Sequence, residues 1–253
     1  MTLVDYRLTD RIGHITLNRP DRHNALIPGL LDELRVAIAQ AREDGPAALI
    51  LDAAGSSFST GGDVAGFFQA SPAERPDYAH KVVSTLNAAI LDLLTLPFPT
   101  LAVVQGMVTG GSAGLALACD LVIAGPEASF TPWYTRVGFS PDGGWTALMP
   151  ERIGRGRTLD LLLTNRTLNA EEACRLGLVQ YLADSHQLQS RARALATQLA
   201  AARAESVRHT LRLTRPDPER VKQALARELR HFLAQITSEE AHHGMARFLG
   251  RSS

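Results

Sequence analysis

Cysteine is almost missing from this sequence: its 253 residues carry only Cys119 and Cys174. The two lie far apart in apolar-periodic segments. That excludes a disulfide framework, and both read as reduced, buried thiols. Net charge is missing as well, with 26 basic residues against 26 acidic ones. A neutral balance removes the electrostatic case for nucleic acid or an anionic membrane as a main partner. No apolar run approaches the roughly 20 residues a spanning helix needs, and Met1–Arg7 contains no signal-peptide hydrophobic region. Repeats and low-complexity tracts are absent too. These exclusions predict a cytoplasmic protein with one sizeable core, or one core plus a small appendage.

The elements that are present alternate in type. Val4–Leu8 and Ile12–Asn18 alternate apolar and polar residues, as half-buried strands do. Pro28–Ala41 has helical periodicity, with Leu30, Leu31, Leu34, Ile38 and Ala41 on one side. Ala47–Leu51, Leu101–Val104 and Leu121–Ala124 read as buried strands. Residues 71–78 are polar and proline-containing and read as a mobile surface segment. A long amphipathic helix is predicted over Tyr78–Leu96, stopped by Pro97 and Pro99. Shorter helices are predicted over Arg157–Thr164 and Ala170–Leu176, and everything after Gln187 is helical in pattern and rich in Ala, Arg and Leu. Strand–helix–strand order of this kind predicts an α/β core with parallel strands.

The stretch Gly106–Asp120 carries the most chemistry. A strand runs into Gly110-Gly-Ser-Ala-Gly114, and a helical pattern follows. Small residues at a helix start leave backbone N–H groups free to hold an oxygen that becomes anionic. The alternative is a small-residue helix packed tightly on a neighbour. A second glycine loop, Phe58-Ser-Thr-Gly-Gly-Asp-Val64, lies upstream.

In order along the chain, Ile15-Thr-Leu-Asn-Arg-Pro20, Asn24-Ala-Leu26, Phe58–Val64, Gly110-Gly-Ser112 through Cys119-Asp120, Arg152-Ile-Gly154, Asn169–Ala173 through Gly177-Leu-Val179, and Gly244–Phe248 resemble the enoyl-CoA hydratase/isomerase, or crotonase, superfamily. The resemblance spans almost the whole chain and is nearest to its isomerase branch. It implies a crotonase-type spiral of ββα units, α/β in class, over residues 1–190. A C-terminal helical trimerisation segment over 191–253 would follow, with assembly as a homotrimer or dimer of trimers. It also implies an acyl-CoA thioester substrate, coenzyme A as part of that substrate, no separate cofactor and no metal. Carried over by position, Gly62 and Gly111 would be the oxyanion donors. Arg22 and Ala25 would lie at the nucleotide end, and Gly62, Asp63 and Val64 along the acyl-pantetheine.

The chain departs from the hydratase pattern at both of its glutamates. By position they fall on Gly114 and Tyr134. Glycine has no acid or base, and a phenol of pKa about 10 is a poor water activator. Asp142, in Gly138-Phe-Ser-Pro-Asp-Gly-Gly-Trp145, instead stands where isomerases of the superfamily carry an acid, and the same pattern resembles ring-epoxide CoA isomerases. One carboxylate suffices to shuttle a proton across a bound enolate. The competing local role for Asp142 is a helix N-cap. Other readings are a hydratase with a displaced acid/base, an aryl-CoA dehalogenase, and a non-catalytic acyl-CoA binder. The dehalogenase reading needs a histidine on the preceding helix, where this chain offers only His80. Asp63 reads as a loop-ordering acceptor. Phe67, Phe68, Trp133, Tyr134 and Trp145 read either as acyl-pocket lining or as core. His242 and His243 read as surface or interface, and Arg203, Arg208, Arg212 and Arg215 as solvated helix charge.

Overall fold

A computed structural model describes residues 2–251. Met1, Ser252 and Ser253, on which the readings of the two chain ends partly rest, lie outside the described residues. The chain opens with β1 (Val4–Thr9) and β2 (Ile12–Leu17), then α1 (Pro28–Asp44), β3 (Ala48–Ala53), α2 (Val64–Gln69) and α3 (Arg75–Leu94). β4 (Thr100–Val104), β5 (Met107–Thr109), α4 (Ala113–Leu117), β6 (Leu121–Ala124), β7 (Ser129–Thr131) and α5 (Tyr134–Val137) make up the middle. Then come α6 (Met149–Ile153), α7 (Arg155–Thr164), β8 (Leu168–Asn169), α8 (Ala170–Arg175) and β9 (Tyr181–Leu182). Four helices finish the chain: α9 (Leu188–Ala200), α10 (Ala204–Thr214), α11 (Pro218–Ile236) and α12 (Glu239–Phe248).

The main sheet has six strands in the order β1-β2-β3-β4-β6-β9, antiparallel only between β1 and β2. β3, β4 and β6 bury both faces, which is why they read as continuous apolar runs. Ile15, Leu17, Leu49, Leu51, Ala102 and Val104 join the core beneath α1 and α3. Ile12, Ala48, Ile50, Leu101, Val103 and Ile123 face the other way, onto Leu188, Ala192, Leu195 and Ala196 of α9. The expected division after residue 190 therefore falls inside a helix that packs on the sheet. A second sheet, β5-β7-β8, was not legible in the sequence because its strands are two or three residues long.

Two expectations need correction. Residues 75–78 are helical rather than a loose segment, because Pro76 lies in the first turn of α3, where a missing N–H costs nothing. Arg75 is buried there, and its guanidinium donates to the carbonyls of Phe67 (3.0 Å) and Ala70 (3.4 Å). Arg215 is not a solvated charge. It donates from Nε and Nη2 to both carboxylate oxygens of Asp120, each at 2.7 Å, and also to the carbonyls of Leu96 and Phe98. This bidentate clamp ties the chain after α10 to the end of α4.

α11 lies along α3, and α12 touches α2 and α5. The C-terminal helices thus fold back over the chain's own middle. Asn87 of α3 donates to the Leu225 carbonyl of α11 at 3.2 Å, fixing that return.

Candidate active site

The site forms where β5 runs into the Gly110–Ser112 turn and α4. Gly111 occupies the first turn of this short helix, where an amide has no intrahelical acceptor. Ser112 fastens the turn by donating to the carbonyls of Thr109 (2.8 Å) and Ser59 (2.9 Å). Ser59 belongs to the Phe58–Val64 loop, so the two glycine stretches are joined at this point. That loop is in turn held by Asn24, which donates to the carbonyls of Ala54 and Ser57, both at 2.9 Å. Gly62 forms a bridge with Leu26 in which the flanking residues pair: Leu26 N–H to Gly61 C=O, and Asp63 N–H to Leu26 C=O. The Gly62 amide makes neither bond.

Gly62, Val64, Gly111, Tyr134 and Asp142 line one cavity of about 150 Å³. Its wall is otherwise largely apolar. Phe67, Phe139 and Phe232 contribute three rings with centroids 5.3–5.9 Å apart. Trp133 and Phe248 meet edge to face at 5.7 Å nearer solvent, and both are partly exposed. Arg22, Ala25 and Asp63 do not line this cavity but form the neighbouring loop. Asp63 caps α2 by accepting from Ala65 N–H (3.2 Å) and also accepts from Arg19 (3.2 Å), with Arg22 at 3.6 Å. The loop-ordering role expected of Asp63 is therefore what its contacts describe.

Asp142 does not cap a helix. Residues 143–148 form turns rather than a helix, and its carboxylate accepts instead from the Tyr134 hydroxyl at 2.8 Å. A Cβ built on Gly111 would lie 3.1 and 3.2 Å from its two oxygens. The acid thus faces the glycine whose amide starts the helix. Burial pushes the Asp142 carboxyl up to about 7, against the hydrogen bond from Tyr134 and helped by the nearby charge of Glu228. Burial, with the charge of Asp142, holds the Tyr134 phenol well above its ordinary value, so Tyr134 stays protonated and serves as a donor.

Gly114 is packed from above. A Cβ there would meet the Gly143 carbonyl oxygen at 1.9 Å and Ile90 at 2.6 Å. Gly143 and Gly144, with φ of +58° and +90°, allow the 142–144 turn to approach so closely. The space a hydratase glutamate would need at position 114 is filled by the turn that carries Asp142.

Two of the aromatics read as either pocket lining or core do not line the cavity. Trp145 is buried outside the cavity, where its indole N–H donates to the Gly110 carbonyl at 2.7 Å. Phe68 stacks on His242 at 5.4 Å, away from the site. His242 and His243 are exposed, as is His80 at the start of α3. Among the described residues, no three His, Cys, Asp or Glu side chains gather in a way that could hold a metal ion. The sequence reading missed Phe139, Phe232, Phe248 and Glu228. Glu228 had a signal, since it is an acid within the apolar stripe Val221, Leu225, Phe232, Ile236.

A family model described as enoyl-CoA hydratase/isomerase matches residues 7–253. A 4-chlorobenzoyl coenzyme A dehalogenase-2 of Arthrobacter sp is 34% identical over 195 residues, 77% of this chain and 71% of that protein. The 1,2-epoxyphenylacetyl-CoA isomerase of Escherichia coli (strain K12) is 34% identical over 187 residues, 74% of this chain and 71% of its own. Among solved structures, an enoyl-CoA hydratase from Bacillus halodurans superposes with a TM-score of 0.90 at 27% identity, covering 97% of this chain and 99% of that one.

Proposed function

The chain belongs to the enoyl-CoA hydratase/isomerase family, with the crotonase fold, and on that footing we propose that it is an enoyl-CoA isomerase with Asp142 as its proton shuttle. The observation that carries this reading is the cavity's ionisable content. Among the described residues Asp142 is the only carboxylate lining it; it faces Gly111 and sits near its own midpoint at neutral pH. A group poised there takes and returns protons with little penalty.

In this mechanism the thioester oxygen rests between the amides of Gly62 and Gly111. The Asp142 carboxylate removes a proton from C2 of a 3-enoyl-CoA. The electrons of the C–H bond enter the conjugated system, and the resulting dienolate carries its charge on the thioester oxygen. The two amides stabilise that charge; one such donor is typically worth about 2.7–4 kcal/mol. The Asp142 carboxylic acid then returns the proton to C4, and the double bond moves from C3–C4 to C2–C3. The Tyr134 hydroxyl, bonded to one carboxylate oxygen, leaves the other free for the proton. A ring-epoxide CoA thioester would meet the same base and the same oxyanion donors.

Water addition needs one group to activate water and another to supply a proton. This cavity provides one carboxylate and a phenol that stays protonated. A dehalogenase with Asp142 as nucleophile would lack the partner histidine, since His80 is exposed. The reading includes Arg22 and Ala25 near the nucleotide end of coenzyme A, Asp63 and Val64 along the pantetheine, and no cofactor beyond the coenzyme A of the substrate. It also includes a cytoplasmic setting and assembly as a homotrimer or dimer of trimers. The amphipathic α10 supports assembly, because it buries none of its residues in the single chain and leaves Leu213 86% exposed.

The test is a panel of 2-enoyl-, 3-enoyl- and aryl-CoA thioesters followed by mass spectrometry. The expected result is interconversion of 3-enoyl- and 2-enoyl-CoA at constant mass. Products heavier by one water would support a hydratase instead. Binding without turnover of any thioester would support a non-catalytic acyl-CoA binder.

A further inference from the structure

Glu228 has no part in the mechanism above, yet its surroundings are unusual for an acid. It is 3% exposed, on the buried stripe of α11. Oε2 accepts from the Gly144 amide at 2.8 Å. Oε1 accepts from the Thr146 amide (2.7 Å), the Thr146 hydroxyl (2.6 Å) and the Ala147 amide (3.1 Å). These three amides lie outside regular structure, and among the described residues none is paired with a main-chain acceptor. The turn therefore relies on one side chain, contributed from 81 to 84 residues further along the chain, for the acceptors its amides need. A buried carboxylate balanced by hydrogen-bond donors alone is costly to build, and such groups concentrate at functional sites.

The turn it holds begins at Asp142. Gly143 stacks on Gly111, where a Cβ would lie 2.4 Å from the Gly111 Cα, so small shifts of the turn move the acid relative to the oxyanion glycine. We propose that Glu228 is a positioning residue for Asp142: by gathering the amides of 144, 146 and 147 it fixes the turn that aims the Asp142 carboxylate at Gly111. Its charge also opposes ionisation of Asp142. The titratable groups bearing on Asp142 are Tyr134 of α5 and Glu228 of α11, while α3 presents Leu86 and the Gly110–Ser112 turn presents no ionisable side chain.

This inference rests on Asp142 being the base, so its test avoids turnover. The full chain is prepared with carboxyl-labelled aspartate, and Asp142 is titrated by NMR, its signal assigned by loss in Asp142→Asn. Hydrogen exchange of the 143–148 segment is measured by mass spectrometry on the same samples. In Glu228→Gln the Asp142 titration should move down by about one pH unit, and exchange of the segment should rise about 10-fold or more. A lower melting temperature with both readouts at wild-type values would assign Glu228 to stability alone and overturn the proposal. Should Glu228→Gln fail to fold, Glu228→Asp carries the test, because it keeps the charge but is one methylene short. It should leave the titration within about half a unit while exchange still rises; unchanged exchange would overturn the proposal. Full turnover in Asp142→Asn would sink the isomerase mechanism instead, without moving either readout of Glu228.

Discussion

Two aspartates flank Gly62 and Gly111, Asp63 beside the first and Asp142 across from the second, and their surroundings differ. Asp63 spends its oxygens on the Ala65 amide and Arg19, with Arg22 nearby. Asp142 accepts from Tyr134 and from its own backbone amide, and meets no cation among the described residues. The first is a staple that orders its loop. The second is buried with few partners, and burial pushes its carboxyl up to about 7. The same side chain takes either role according to what the fold places around it.

The contrast depends on how closely the 142–144 turn is pressed onto Gly111 and Gly114. Gly114→Ala puts a methyl against the Gly143 carbonyl and should have the largest effect. Differential scanning calorimetry should show a loss of more than about 3 kcal/mol. A variant as stable as wild type would show that the turn can yield.

The contrast itself is tested by Asp142→Asn and Asp63→Asn assayed side by side on a 3-enoyl-CoA. Asp142→Asn should lose at least about 100-fold in turnover, Asp63→Asn less than about 10-fold. Equal losses would erase the distinction. In wild type, kcat/KM should fall as the pH drops below about 7, because the base must be unprotonated.

Stability should carry the signature of Asp142 in the opposite direction. Its carboxyl is pushed up to about 7 in the folded protein, against about 3.9 when unfolded. The stabilisation is fully present below about pH 4 and is lost as the pH rises through about 7. Asp142→Asn never ionises there. Chemical denaturation at pH values either side of 7 should therefore show the variant gaining on wild type above it, by on the order of 1–3 kcal/mol. No such gain would mean the carboxylate is better solvated than its burial implies.

Tyr134→Phe removes the stronger of the hydrogen bonds that favour the Asp142 anion. The acid limb of the pH–rate profile should move up by about one unit, and an unmoved limb would remove Tyr134 from the pair. The smallest effect is expected at the staple. Asp63→Ala should cost about 1 kcal/mol in a thermal melt through the lost cap of α2, with turnover little changed.

Much of this was written locally in the chain. Strand and helix order follows from periodicity, and the two glycine stretches announce where free amides cluster. The near-neutral charge and the paired departures at Gly114 and Tyr134 turn attention to a different acid. What could not be read locally depends on segments far apart in sequence. Whether Asp142 capped a helix or faced the cavity depended on the shape of residues 143–148 and on Tyr134 eight residues before it. Arg215 looked like helix charge because Asp120 lies 95 residues away. Trp145 read as either pocket lining or core, and its buried indole donating to the Gly110 carbonyl places it in the core.

By itself the sequence determined the family and the α/β order, because these rest on local pattern and on residue types with few alternative uses. The tertiary structure decided which acid is desolvated beside Gly111. That depends on burial and on partners brought from α5 and α11, and neither is a property of any short stretch of chain.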